Sequence, residues 1–458
     1  MTVEVDENET NSLYGASADF VKTITEAIDS DQLNQASTLL TPLHAADVAD
    51  VLQNVSTEHR RKLVELLKAD FDPEILGHLD DSVKDEVIEM IGSKELAAAL
   101  SDLESDDALS VIEDLDQNLQ REILRAISAE ERAILEEVLT YPEDSAGRLM
   151  QREVAAVPSF WTVGEVVKYL GQSKEVPETF YSVFVVNPKH QPLGFVPVSR
   201  LFKEEKSTSI DQVMESELHK IPVTMDKEEV ARLFYHYGLV SAPVIDTGSR
   251  LVGMVTVDDV VDVIEEEATE DIMHLAGISD SDFHAPVAAT FIMRFRWLFV
   301  TLINTVLASL VISQFQATIE KLVALAVLMP IATAMAGNSG MQVVTVTVRA
   351  IATRDLRPGN MFRSFSKELS VGFLNGCLFA LILGVVSAIL FKNWGISMVL
   401  ASALIFNMAW AAFAGILLPI TIHKMGMDPA LSAGPILTTT TDVIGFAVFL
   451  GLASMFLV

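Results

Sequence analysis

Five long stretches without an Asp, Glu, Lys or Arg lie toward the end of the chain, and they constrain its architecture more than any other feature. They run over 297–319, 322–348, 369–391, 393–422 and 429–458, the last interrupted only by Asp442. About 20 helical residues cross the ~30 Å hydrocarbon core of a bilayer, and each stretch supplies them. The reading is an all-α transmembrane domain of five helices over 286–458. Basic residues set its orientation. Arg294 and Arg296 precede the first span, Arg349, Arg354, Arg357, Arg363 and Lys367 separate the second from the third, and Lys424 separates the fourth from the fifth. The opposite side offers only Lys321 and Lys392. The positive-inside rule then places the N-terminal part in the cytoplasm and Val458 outside, across the cell's inner (plasma) membrane, and an odd number of spans satisfies both ends.

Charge divides the chain at the same point. The whole carries −31; after residue 285 five acids (Glu320, Asp355, Glu368, Asp428, Asp442) face ten bases, or +5, so residues 1–285 carry −36. Such a surface repels nucleic acid and makes cations natural partners, although solubility alone also accounts for it. The single cysteine, Cys377, sits in an apolar run, which excludes a disulfide framework and a cysteine-based metal site. Glu4, Asp6, Glu7 and Glu9 give the N-terminus neither a basic start nor an apolar core, so 1–19 reads as a disordered acidic tail rather than a signal peptide.

Polar residues inside the spans are few and costly. Asp442 is the one carboxylate well inside a span, following Pro435-Ile436-Leu437-Thr438-Thr439-Thr440-Thr441, and no Lys or Arg lies at its depth. Facing lipid it would cost about 2.5–3.5 kcal/mol on insertion scales. It either lines a water-filled cation path or stays protonated or bonded to its helix. In the second span, Ala336-Gly337-Asn338-Ser339-Gly340-Met341-Gln342 joins two glycines to two amides. The glycines permit close helix approach or local unwinding, and amides such as that of Asn338 offer oxygen ligands or crossing hydrogen bonds.

Residues 20–140 repeat short amphipathic segments with helix-start signals at Thr41-Pro42, Ser56-Thr57-Glu58, Asp72-Pro73, Ser93, Ser105 and Ser128, which predicts an α-helical solenoid. Over 141–262 the pattern changes to strands and helices and doubles. Arg148-Leu149-Met150 recurs as Gln212-Val213-Met214, and Leu193-Gly194-Phe195-Val196 recurs as Val252-Gly253-Met254-Val255. This predicts a duplicated β-α-β-β-α unit. It resembles the tandem CBS pair, an α/β regulatory module that often binds adenosine nucleotides. In the second copy, the turn Thr256-Val257-Asp258-Asp259 matches the place where a Thr hydroxyl and an Asp carboxylate hold the ribose or phosphate end, so ATP is a candidate ligand of Thr256 and Asp259. The segment leading to the membrane carries Asp258, Asp259, Asp262, Glu265, Glu266, Glu267, Glu270 and Asp271. Asp259 and Asp262 share one helix face, and Glu267, Glu270 and Asp271 share another. Like charges at these spacings destabilise a helix unless cations bridge them or water solvates them, and hard divalent ions prefer such oxygens.

Taken in order, Tyr141-Pro142-Glu143-Asp144-Ser145-Ala146-Gly147-Arg148-Leu149-Met150, Glu265-Glu266-Glu267-Ala268-Thr269-Glu270-Asp271-Ile272, Gly337-Asn338-Ser339-Gly340, and Asp428-Pro429-Ala430 followed by Asp442 resemble the MgtE magnesium channel family over essentially the whole chain. The resemblance implies a homodimer that imports Mg2+ down its electrochemical gradient through a central pore, with Asp442 binding the hydrated ion and Asn338 nearby. It implies regulation by cytoplasmic Mg2+ at Asp259, Asp262, Glu267, Glu270, Asp271 and Asp428, with Asp106 as the solenoid's partner and a connecting plug helix over 263–285. Two positions depart from the family pattern: Ser110 stands one turn after Asp106 where an acid is expected, and Met341 stands where Asn is frequent. No Gly-rich Lys motif for nucleotide hydrolysis occurs, so a transporter rather than an enzyme is expected. The alternatives are a proton-coupled divalent metal carrier and a membrane-tethered nucleotide sensor without transport.

Overall fold

The computed structural model describes residues 16–68, 71–101, 103–113, 115–173, 176–177, 179–278, 287–356 and 359–458. The chain forms two compact units, Met1–Glu267 and Ala268–Val458. Of the expected acidic tail, residues 1–15 lie outside the described part.

The first unit opens with short helices from Ala18–Asp29 to Ala129–Val138. Their starts are set by side chains that accept from otherwise unpaired N–H groups. Ser17 accepts from Phe20 N, Ser56 from His59 N, and Asp116 from Asn118 N and Leu119 N, while Ser128 and Glu131 form a reciprocal capping box. Thr41-Pro42 is an exception. Thr41 closes the preceding helix, its hydroxyl donating to Ser37 O at 2.8 Å, and the next helix begins at Ala45 behind His44, whose Nδ1 accepts from Ala46 N. A threonine hydroxyl already engaged with the turn behind it cannot cap the turn ahead.

The tandem module follows. Strands β1 (Ala156–Pro158), β2 (Ser182–Val186) and β3 (Pro192–Pro197) form one sheet, and β4 (Ile221–Pro222), β5 (Ser241–Ile245) and β6 (Leu251–Thr256) form a second of the same order. In each, the first pair is parallel and the second antiparallel. The copies exchange their leading segments. Gln151 and Met254 trade backbone hydrogen bonds of 2.8 Å, and Glu215 and Phe195 trade bonds of 2.8 and 3.0 Å. Glycine makes the exchange possible, since a Cβ on Gly253 would lie 2.6 Å from Gln151 O and one on Gly194 would collide with Glu215 O.

The Tyr141 to Met150 motif joins solenoid to module. Arg148 donates to the carbonyls of Tyr141 and Leu139 at 3.0 Å and pairs with Glu113 at 2.8 Å, and a Cβ on Gly147 would strike the Tyr141 ring at 2.6 Å. One apolar core runs through both parts, from Leu52, Leu63, Leu96 and Ile112 to Ile221, Val230, Val255 and Val260. The last helix of the module, Val257–Ala276, runs without a break through 263, where the connecting helix is expected to begin. It ends at Gly277, whose left-handed φ of 75° and absent Cβ leave room for the Trp297 indole. The expected boundary at 285 lies outside the described residues.

The second unit holds five helices long and apolar enough to cross a membrane among the described residues: Thr290–Ser313, Ala324–Ala352, Met361–Phe391, Trp394–Lys424 and Pro429–Phe456. The fourth packs against the second, third and fifth. Small residues let the backbones approach closely. Virtual Cβ atoms on Gly372, Gly376 and Gly415 would sit 2.6 Å from Ala412 Cβ, 3.0 Å from Ile405 Cα and 2.9 Å from Gly340 O. Large apolar side chains such as Leu298, Leu302, Leu374 and Leu381 point outward, as a hydrocarbon solvent requires.

Candidate functional site

In the fifth helix the four threonines before Asp442 satisfy themselves. Thr438 donates to Gly434 O at 3.0 Å, Thr439 to Pro435 O at 2.7 Å, Thr440 to Leu437 O at 2.9 Å and Thr441 to Leu437 O at 3.0 Å. Asp442 is half-buried and makes no hydrogen bond or ion pair among the described residues. The second helix lies alongside. Gly340 faces Leu437, whose methyls would be 3.0–3.1 Å from a Cβ there, and Gly337 faces the Thr441 hydroxyl at 4.0 Å. The helix is continuous from Ala324 to Ala352, so neither glycine unwinds it, and Gly340 serves close approach. The Asn338 side chain is exposed, and no bond joins it to Asp442.

Within the first unit the acids of solenoid and module meet. Asp106 opens the helix Ser105–Glu113, and burial, then Asp259, Asp107 and Glu104, raise its carboxyl well above the usual range. Burial also pushes Asp259 up to about 7, aided by Asp258 and Asp107 and opposed by the Thr256 hydroxyl, which donates to its Oδ2 at 2.7 Å. Asp107 and Asp262 keep exposed side chains, yet the solvent lost around each raises its carboxyl, and His78 works against the shift in both. Asp107 thus joins the cluster, whereas Ser110 turns its hydroxyl back to Asp107 O at 2.9 Å. Lys227 lies 3.4 Å from both Asp144 and Glu266.

In the second unit His274 stands between two acids, with Nδ1 at 2.9 Å from Asp428 and Nε2 at 3.4 Å from Glu270. Asp271 is raised by burial and then by Asp428, with His274 opposing. Asp428 also caps the fifth helix, accepting from Ala430 N at 2.8 Å and Leu431 N at 3.1 Å. Asp106 and Asp259 are therefore brought together, as are Glu270, Asp271 and Asp428, and no hydrogen bond joins Asn338 to Asp442 among the described residues. Among the described residues no three Asp, Glu, His or Cys groups converge closely enough to hold a metal ion. Paired carboxylates suit a Mg2+ ion that keeps most of its water. Sequence reasoning missed Asp107, His78, Lys227 and His274; His78 and Lys227 are far in sequence from the acids they face, whereas His274 stands one turn after Glu270, a spacing that could have found it.

Comparison with known proteins places these features in a family. Residues 329–452 match the family model MgtE, a divalent cation transporter; 43–144 match the MgtE intracellular N domain, and 210–266 match the CBS domain. The chain is 32% identical over 441 residues to the magnesium transporter MgtE of Thermus thermophilus, covering 94% of this chain and 97% of that one. It is 28% identical over 416 residues to the magnesium transporter MgtE of Bacillus subtilis, with 91% and 92% covered. Among solved structures, the cytosolic domain of the Mg2+ channel MgtE in complex with ATP is similar at a TM-score of 0.50 and 30% identity, covering 53% of this chain and 99% of that one.

Proposed function

Since this chain belongs to the MgtE family of divalent cation transporters, we propose that it is a Mg2+ channel that imports the ion down its electrochemical gradient and is closed by cytoplasmic Mg2+. It is a multi-pass membrane transporter with a cytosolic N-terminal part, and it is not an enzyme. Asp442 carries the reading: a half-buried carboxylate in an apolar helix, without a partner among the described residues, has reason to be there if a cation passes it. In a homodimer the same carboxylate from both subunits lines a pore on the two-fold axis. With the N-terminus in the cytoplasm, Val458 lies outside.

Regulation rests on the two acid sets. Asp106, Asp259 and Asp262 belong to one, Glu270, Asp271 and Asp428 to the other, with Glu267 on the same helix face as Glu270 and Asp271. Cations bind whichever conformation holds these acids closest and shift the channel toward it. The Thr256–Asp259 pair also suits a nucleotide ribose, and the ATP complex of the related cytosolic domain supports ATP as a second ligand of this turn. Ion and nucleotide then share Asp259.

The test is Mg2+ flux into liposomes holding the purified chain and its Asp442→Asn variant. Flux should fall below about a tenth of wild type, because the substitution removes the charge and keeps the shape. Mass in detergent should remain that of two chains. Wild-type flux in the variant would remove Asp442 from the pore.

A further inference from the structure

The fourth helix buries an asparagine among the apolar contacts that hold it to its neighbours. Asn407 is 1% exposed. Its Nδ2 donates to Gly445 O at 3.5 Å, and its Oδ1 is buried with no partner among the described residues. Gly445 lies three residues, less than one turn, after Asp442. A Cβ at Gly445 would be 3.2 Å from Asn407 Nδ2 and 3.1 Å from Thr333 Cγ2, so the second, fourth and fifth helices meet at that glycine. Leu437 on Gly340 and Gly340 O on Gly415 are apolar or backbone contacts without direction, and the other directional bond to this helix, from Asn304 Nδ2 of the first span to Pro435 O at 3.3 Å, lies seven residues before Asp442.

Retaining an amide here has an energetic penalty. A buried carbonyl oxygen without a donor bears its full desolvation cost, and leucine, with the same branching and number of heavy atoms, would remove it. A buried polar group kept at a cost to stability marks a functional constraint. We propose that Asn407 is a positioning residue for Asp442: its amide holds the fifth helix at Gly445 and fixes the rotation and depth at which the carboxylate meets the permeating ion. The inference rests on the pore reading of Asp442. Geometry gives it weight. A side-chain tip about 5–6 Å from the helix axis moves about 2 Å for a 20° rotation, several times the ~0.5 Å within which an ion-binding constellation must be held. Dispersion contacts among small residues resist such a rotation weakly, whereas a hydrogen bond resists it with direction.

The experiment compares full-length wild type, Asn407→Leu, Asn407→Ala and Asp442→Asn in liposomes, reading flux against Mg2+ concentration, Mg2+ over Ca2+ preference, and thermal unfolding in detergent. A positioning role predicts that Asn407→Leu unfolds at or above the wild-type temperature yet needs about tenfold more Mg2+ for half-maximal flux, or loses about tenfold of its preference over Ca2+. Asn407→Ala should show the same functional shift. If both variants keep the wild-type curve and preference while Asp442→Asn abolishes flux, the inference fails and the pore reading stands. If both lose flux only in step with a lowered unfolding temperature, Asn407 is structural and the inference also fails. Wild-type flux through Asp442→Asn removes the pore reading, and the inference with it.

Discussion

Between pH 4 and 7 the carboxyl of Asp259 changes what the cation-free protein costs to fold. Burial raises it to about 7 in the folded chain, against an ordinary value of 3.8. The folded state then holds a proton that the unfolded state has released, so stability falls as pH rises through this window and levels off above it. Asp106, raised in the same direction by burial and by Asp259, adds to the slope. Divalent cations favour the ionised carboxylates and so act against this loss. Thermal unfolding of the full chain without divalent ions should therefore occur at higher temperature at pH 5.5 than at pH 8, and Mg2+ should raise it more at pH 8 than at pH 5.5. Asp259→Asn should unfold at or above the wild-type temperature at pH 8 and lose much of the Mg2+ response. Equal Mg2+ responses at the two pH values would remove these acids from the binding site. Asp259 and Asp106 were legible in the sequence as acids at family positions, but their burial was not. It depends on the solenoid and the module closing over them, which no local pattern encodes.

Among the elements, the paired glycines of the tandem module make the sharpest claim. Gly253 has no space for a side chain because Gln151 O and Met150 lie where a Cβ would be, at 2.6 and 2.8 Å. Gly253→Ala should destabilise the first unit by about 1–3 kcal/mol through overpacking, whereas Gly77→Ala, with nothing within 4 Å, should stay within about 0.5 kcal/mol. Denaturant midpoints of the two variants compare them directly. The repeat itself was plain from sequence, since Leu193-Gly194-Phe195 and Val252-Gly253-Met254 sit at matching places. That each copy lends its leading segment to the other was not, because pairing between Gln151 and Met254 or between Phe195 and Glu215 leaves no periodic trace in the sequence. Helix starts were legible where Ser was free to cap, at Ser56 and Ser128, and failed at Thr41, whose hydroxyl serves the turn behind it. The five spans were legible for a simpler reason: a bilayer demands length and apolarity from one continuous segment, and both can be counted.

At the scale of the whole molecule, the division of charge bears on gating. A soluble part of −36 repels itself without cations and favours an expanded arrangement. If Glu267, Glu270 and Asp271 hold cytoplasmic Mg2+ as proposed, replacing them by Ala removes ligands and also relieves repulsion, and the two effects have opposite signatures. Loss of ligands predicts a channel that needs several-fold more cytoplasmic Mg2+ to close; relief of repulsion predicts one already shut in low Mg2+. Patch recordings across a Mg2+ titration separate them, with the first outcome expected and an unchanged curve ruling this cluster out as the sensor. The exchange between the two CBS copies also reaches beyond stability, into how the chain is made. Gln151 finds its partner only when Met254 has been synthesised, about a hundred residues later, a wait of about 5–20 s at 5–20 residues per second. For that interval the leading segment of the first copy has no strand to join. The first span, starting at Thr290, is translated within a few seconds of Met254, so closure of the soluble part and delivery of the nascent chain to the membrane compete for the same moment on the ribosome.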